Sequence, residues 1–484
     1  MLRIALVSTF VLNFCFQFSH AQFIGGSLND AGSSFCELDN GGLFLFGTTR
    51  SYGAGSDDML VVKLDSSLNF QKNIFYGWST YDVASKMIKT HNNQVVTTGY
   101  SWSAPGPGGR GDVVVNKYGS TGCLMWSSYF GGISNDYSSS IIETLDHGYV
   151  LTGVDEGGAS KGDVYFYKLK EDGTKEWGHV YQSTTKDMGM DVIQCSDSSY
   201  LIIVNSDTFH GKLANASEYS GSEPSKIKII KTDKLGNELW SKFYGGDDYD
   251  FVKSIVAYGG SFYFIGSSKN GPLGSFDIAL HKIDKSGNVL WLKHYGGTDY
   301  DYGNSVDVNL NGELLITGSS SSGNASSSSD LYVAKLSTNG NVLWEKYIDN
   351  GWSDYGEQGL FLGNQQIAVI GTATMSDLST EVYFKKFNTD GSDAVSQEIV
   401  TTDGAEIVFN VAPNPSNGCF QIDFENYENM KVFFELFDTN GKKFFSSDVV
   451  SNQTINLHGK LAVGLYVYKI RAGTDLQSGI IIIN

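Results

Sequence analysis

Tyr244-Gly245-Gly246-Asp247-Asp248-Tyr249-Asp250 returns 51 residues later as Tyr295-Gly296-Gly297-Thr298-Asp299-Tyr300-Asp301. Outward from this pair the pattern spreads along most of the chain. An apolar or aromatic residue precedes an aspartate by six positions at Ile24/Asp30, Tyr76/Asp82, Phe130/Asp136, Tyr181/Asp187, Tyr244/Asp250, Tyr295/Asp301 and Ile348/Asp354. Tryptophans recur in step at Trp126, Trp177, Trp240, Trp291 and Trp344. Self-similarity at a period near 50 residues signals a repeat architecture, in which each unit is one supersecondary element that cannot bury its faces alone.

Each unit holds four strand-like runs. In the fifth these are Phe251–Ala257, Ser261–Gly266, Asp277–Ile283 and Val289–Tyr295, the last two joined by a turn from Lys285 to Asn288. Gly287 supplies the left-handed backbone that such a turn needs. The third runs are apolar at successive positions, as in Met59–Val62, Val164–Tyr167 and Leu331–Ala334. Side chains alternate faces along a strand, so both faces must be covered. A sheet stacked between two neighbours meets that demand, and four-stranded sheets ranged around a channel form a propeller. The sequence therefore predicts an all-β protein: a seven-bladed β-propeller over residues 22–400, with units starting near 24, 76, 130, 181, 244, 295 and 348. A linear β-solenoid is the rival arrangement, with usually shorter repeats. In unit seven, Asp393–Val400 reads as its own fourth strand, with Phe23 to Gly26 a competitor for that place.

The repeat resembles those of bacterial seven-bladed β-propeller proteins, a family recognised by its repeats and not by one activity. Composition agrees with an all-β chain: 57 glycines punctuate short apolar runs, and only 6 prolines occur. The net charge of −19 argues against nucleic acid, whose phosphates require a cationic surface, and against adsorption to an anionic membrane. Residues 1–21 read as a secretory signal: Arg3, an apolar run from Ile4 to Phe18, then Ser19-His20-Ala21 before Gln22. The run is too short to span a bilayer, and no other segment is a transmembrane candidate. Cys36, Cys123, Cys195 and Cys419 lie in different units with no Cys-x-x-Cys spacing, which speaks against a disulfide framework and a cysteine zinc site; a single pair stays open.

Composition shifts after residue 400, and 401–409 reads as a linker. Alternating runs then predict a small antiparallel β-sandwich over residues 410–484. Its motifs are Pro413-Asn414-Pro415 with Gly418, then Phe437-Asp438-Thr439-Asn440-Gly441-Lys442, then Gly464-Leu465-Tyr466-Val467-Tyr468-Lys469-Ile470. They resemble the type A C-terminal sorting domain of the type IX secretion system of Bacteroidota. That resemblance implies export across the outer membrane by the type IX machinery. It also implies a tail that is usually cleaved, and a cargo either released or attached to the outer-membrane surface. The last strand of such domains often carries a basic residue; here Ser478-Gly479 precede Ile480–Ile483.

Each of the seven aspartates, Asp30, Asp82, Asp136, Asp187, Asp250, Asp301 and Asp354, stands before the innermost strand of its unit. Together they ring one end of the channel. Occurrence in every unit favours a turn-capping role over a ligand site. Asp247, Asp248 and Asp299 thicken the acid in units five and six, where calcium is the one cofactor considered; no compact calcium loop is present, so no cofactor and no metal is expected. Arg110-Gly111-Asp112 is a coincidence of the repeat, because Asp112 aligns with Asp58, Asp163, Asp277 and Asp330. The connections between second and third strands vary most and emerge at the acidic end. They place Trp102, Phe209, His210 and Tyr219 as candidate ligand-binding residues, the aromatic rings suiting sugars. The recurring tryptophans read as packing anchors. No His-Glu-x-x-His, nucleophile elbow or phosphate loop occurs, and no catalytic residue is nominated. The expected function is a secreted or surface-attached, non-catalytic binding or scaffold protein for polysaccharide or a surface protein. The alternative is a polysaccharide hydrolase or lyase with acids at the channel mouth.

Overall fold

The computed structural model describes residues 21–53, 55–102, 111–157, 162–206, 225–246, 249–269, 271–323 and 328–394. Of the C-terminal region it describes 409–412, 419–424, 432–438, 442–449, 453–457, 460–472 and 475–483. All regular structure among them is β. Seven four-stranded antiparallel sheets stand as blades, with a smaller pair of sheets after them. Blade 6 is typical, with strands Asp301–Val308, Leu314–Ser320, Asp330–Leu336 and Val342–Ile348 in sequential order. Its third strand is buried along its whole length and its fourth alternates with solvent, as expected for the middle and the outer edge of a blade.

Between every two blades lies one apolar core. Phe46, Met59 and Val61 of blade 1 meet Met87, Val95 and Val114 of blade 2. Equivalent clusters join blades 2 and 3, 3 and 4, 4 and 5, 5 and 6, and 6 and 7. The ring closes through Phe35, Leu45 and Val62 against Ala368, Ile370 and Phe384. Each fully buried aliphatic or aromatic side chain contributes ~1.5–3 kcal/mol, and half of every such contact belongs to a neighbour. That is why a lone blade is not a stable unit.

A second lock runs round the end bearing the hairpins between third and fourth strands. Gly173, Gly236, Gly287, Gly340 and Gly391 adopt φ between +71° and +83°, and each lies on the tryptophan of the preceding blade: Trp126, Trp177, Trp240, Trp291 and Trp344 respectively. A Cβ at Gly287 would fall 2.8 Å from Trp240, so both backbone and space demand glycine there. The tyrosine that opens the repeat completes the contact. Tyr181, Tyr244 and Tyr295 donate their hydroxyls to the carbonyls of Gly236, Gly287 and Gly340 at 2.7–2.8 Å.

Every innermost strand also carries a bulge one residue long, at Ser33, Ser85, Ser139, Met190, Lys253, Asn304 and Glu357. The bulge bends the strand and re-aims one side chain. Ser33, Ser85 and Asn304 use it to donate to the next blade, at the carbonyls of Ala84, Ser138 and Gly356.

Closure differs from the sequence expectation. The fourth strand of blade 7 is Ala21–Ile24, paired antiparallel with Thr380–Asn388 from Ala21↔Lys385 to Ile24↔Val382. Phe23 packs edge-on against Tyr383 at 5.4 Å. The N-terminal segment therefore takes the place assigned to Asp393–Val400, of which 395–400 lie outside the described residues. Cys123 is disulfide-bonded, so one pair does form. Cys36 and Cys195 are buried free thiols, and burial pushes the Cys36 thiol up to about 12.

In the C-terminal region, Phe409–Ala412, Cys419–Phe424 and Gln453–Asn456 form a three-stranded sheet. Lys443–Val449, Val432–Asp438, Gly464–Ala472 and Asp475–Ile483 form a four-stranded one. Ile455 and Leu457 pack with Phe434, Leu436, Ile470 and Ile481 in a shared core. Gly464 opens the long final hairpin, and Tyr466 is buried in the core with its hydroxyl on the Ala462 carbonyl at 3.0 Å. Pro413, Asn414, Pro415, Gly418 and Gly441 lie outside the described residues.

Candidate functional site

The blade-to-blade turns and the connections between second and third strands emerge together at one end of the propeller. The ring of seven aspartates is there, but beneath the surface: each is at most 4% exposed. Six accept the backbone N–H four residues earlier, from Gly26, Trp78, Gly132, Gly246, Gly297 and Asn350, at 2.7–2.8 Å. Asp187 instead takes the hydroxyls of Thr185 and Ser206. The carboxylate thus closes a short loop on itself, which explains an aspartate at fixed distance from the unit's start. A second aspartate, at the start of the third strand of the preceding blade, sits under the same turn. Asp58 accepts from Gly55, Asp163 from Ser183 and Asp277 from Leu273. Asp112, of the Arg-Gly-Asp tripeptide, is 0% exposed and is not presented to solvent.

Burial raises several of the ring acids, and a neighbouring acid adds to it. Burial, with Asp155 and Asp112 nearby, pushes Asp136 up to about 7, against an ordinary aspartate value of about 3.9. Burial carries Asp354 to about 7 despite the Asn350 N–H. Asp82 and Asp301 shift the same way, chiefly by burial, with Asp58 and Asp277 adding to it. These groups face backbone rather than the channel.

What this end does present is aromatic. Trp102 is 47% exposed and meets Tyr81 edge-on at 6.1 Å. Tyr52 lies 5.5 Å from Phe75 beside them, with Arg50 paired to Asp57 at the base of the same loop. Across the ring, Tyr300 stacks on Phe276 at 6.1 Å, next to Tyr302. Trp352 is exposed between blades 6 and 7. Of the residues nominated from sequence, Trp102 takes its place in this rim. Phe209, His210 and Tyr219 lie outside the described residues, as do Asp247 and Asp248 of the calcium candidate. The backbone N–H of Asp299 is bound to the Ser322 hydroxyl at 3.0 Å. The repeat pattern alone does not mark Tyr52, Tyr81, Tyr300 and Trp352 as rim residues. A signal existed: the residue just before each ring aspartate is free to vary, and it is aromatic at Tyr81, Tyr249 and Tyr300.

Within the channel, one ion pair spans three blades. Lys86 reaches over blade 3 to Asp191 at 2.5 Å, both held by the Ser140 hydroxyl. Asp191 also accepts the Ile255 N–H at 3.1 Å. Gln358 bridges blades 7 and 1 through the Phe35 N–H and the Ser34 hydroxyl.

Residues 410–484 match the family model described as "Secretion system C-terminal sorting domain". The protein is thus a secreted one, handled by the type IX machinery and delivered to the cell surface. No helix among the described residues is long and apolar enough to cross a membrane. No curated protein matches the chain in sequence. Among solved structures, a protein of unknown function from Dyadobacter fermentans is similar at 10% identity and TM-score 0.44, over 76% of this chain and 97% of its own. The β-propeller domain of the Trilobed protease from Pyrococcus furiosus is similar at 9% identity and TM-score 0.42, over 76% and 96%. The Pan2 WD40 domain of Neurospora crassa gives 9% and 0.45, over 75% and 91%.

Proposed function

We propose that this secreted propeller is a non-catalytic binding protein whose loop-bearing end captures polysaccharide. The observation that carries the reading is the rim of exposed rings, Tyr52, Tyr81, Trp102, Tyr300 and Trp352, set on a backbone that the buried aspartates hold rigid. Flat apolar ring faces with polar edges suit the faces of sugar rings, and rigid aromatics lose little entropy on binding. In this reading residues 1–21 are a cleaved signal, 22–400 the binding propeller, 401–409 a linker and 410–484 the sorting tail. Cleavage after Ala21 leaves Gln22 to Ile24 to close blade 7.

A hydrolase or lyase is the competing reading. It needs two acids facing one substrate bond. Asp136 and Asp354 are sealed under turns, whereas Asp307 and Glu357 on the innermost strands of blades 6 and 7 are also raised by burial and are the acids a channel enzyme would use. The test is a glycan array and polysaccharide pull-down with the purified protein, with products followed by mass spectrometry. Binding that is lost in Trp102→Ala and leaves the polysaccharide intact supports the proposal. Cleaved sugar overturns it in favour of the enzyme. Capture of a surface protein with no glycan bound makes the rim a protein-docking face.

A further inference from the structure

At the opposite end of the channel, the turns between first and second strands bring three donor side chains together across blades 2 and 3. We propose that His91, Glu143 and His147 form a binding site for one divalent transition-metal ion of the zinc class.

His91 lies in the turn of blade 2, closed by the Thr90 N–H on the Gln94 carbonyl at 2.8 Å. His147 lies in the same turn one blade on, at the left-handed position with φ +64°. Other blades place Gly41, Asn93 and Gly312 at that position. Glu143 ends the inner strand of blade 3. His91 Nδ1 is 2.6 Å and His147 Nδ1 3.9 Å from the same oxygen, Glu143 Oε1. The two imidazoles stack with centroids 3.7 Å apart, and one donor atom from each of the three residues lies within 4.8 Å of the others.

The carboxylate is set in advance. Glu143 Oε2 accepts the His91 backbone N–H at 2.7 Å. This is a structural cap used elsewhere, by Gln194 on Leu145 and by Glu37 on Gly363. The cap fixes Oε2 and leaves Oε1 aimed at the two rings. At the Glu37 boundary the neighbouring turns hold Asp39-Asn40-Gly41 and Gly363-Asn364-Gln365, without an imidazole. The cap is thus general, and the histidine pair is peculiar to one boundary.

Two imidazoles and one carboxylate are the donor set of a borderline divalent ion, not of calcium or magnesium, which take oxygen. Tetrahedral zinc with bonds near 2.0–2.1 Å spaces its donors by roughly 3.3 Å. The separations of 2.6 and 3.9 Å bracket that value, and binding requires the two stacked rings to splay so that both Nδ1 lone pairs meet the ion. Both histidines are exposed, which leaves a fourth position open to water or to a donor from outside.

The experiment titrates zinc into the tag-free, full-length protein against a chromophoric chelator, with thermal unfolding as the control for folding. One equivalent is expected to bind. His91→Ala and His147→Ala should each weaken binding by roughly tenfold or more, as expected for loss of one of three ligands. Glu143→Gln should weaken it comparably while keeping the cap, since Gln194 performs the same cap. His179→Ala, on an outer strand, should leave it unchanged. Failure of the folded protein to compete for zinc overturns the site. So does stoichiometric binding that survives the double variant His91→Ala/His147→Ala.

Discussion

The two ends of the propeller lock neighbouring blades by opposite chemistry. At one end buried carboxylates draw backbone N–H groups inward, beneath glycine turns. At the other, an aromatic ring receives a glycine of the next blade, and a tyrosine hydroxyl seals the contact. The acid lock leaves its outer surface free, because the working atoms point down. The aromatic lock fills its surface with its own residues. Variable rings can therefore accumulate at the acid end without disturbing the blades, and the candidate binding rim is found there.

The comparison can be broken most severely at the boundary where a non-consecutive segment serves both ends. Deleting Gln22 to Ile24 removes Phe23 and Ile24 from the blade 7 edge and should cost about 3–6 kcal/mol, read by urea unfolding; an unchanged midpoint would mean that the pairing adds nothing. Trp291→Ala removes one aromatic lock and should cost about 3 kcal/mol, with no change in ligand binding at the far end.

The acid lock alone should answer to pH. Asp136 and Asp354 titrate near 7 in the folded chain and near 3.9 unfolded. Their contribution is full below the unfolded value and fades as pH rises through about 7. Wild type should therefore melt higher at pH 5.5 than expected from its behaviour at pH 8, and Asp136→Asn should show a smaller gain over that window. An equal gain in the variant would place the linkage elsewhere. Tyr295→Phe, which removes one hydroxyl from the aromatic lock, should cost about 1 kcal/mol at either pH. Trp102→Ala should be smallest in stability, within about 0.5 kcal/mol, yet should abolish glycan capture.

Much of this was legible in the sequence because it repeats. A residue type returning at one offset in every unit must satisfy a requirement of the unit, so the Asp30 series and the hairpin glycines could be read as structural. The closing strand was not legible. Both Asp393–Val400 and Phe23–Gly26 read as strands, and nothing in a strand's own pattern says which edge it will meet. The cluster of His91, Glu143 and His147 escaped for a related reason. His91 and Glu143 are 52 residues apart, one repeat period, so their nearness shows only when adjacent units are superposed turn on turn. The rim tyrosines were hidden in plain view, at positions where the fold sets no demand and the repeat therefore carries no mark.

The pairing of Ala21–Ile24 with Thr380–Asn388 has a consequence for the life of the chain. The first part of the ring to leave the ribosome must wait for the last blade before its edge is covered, and the sorting tail follows that blade. A chain cut short anywhere in the ring lacks both the partner for its beginning and its address label. Architecture and export thus apply one shared test of completeness, and only a finished molecule passes it.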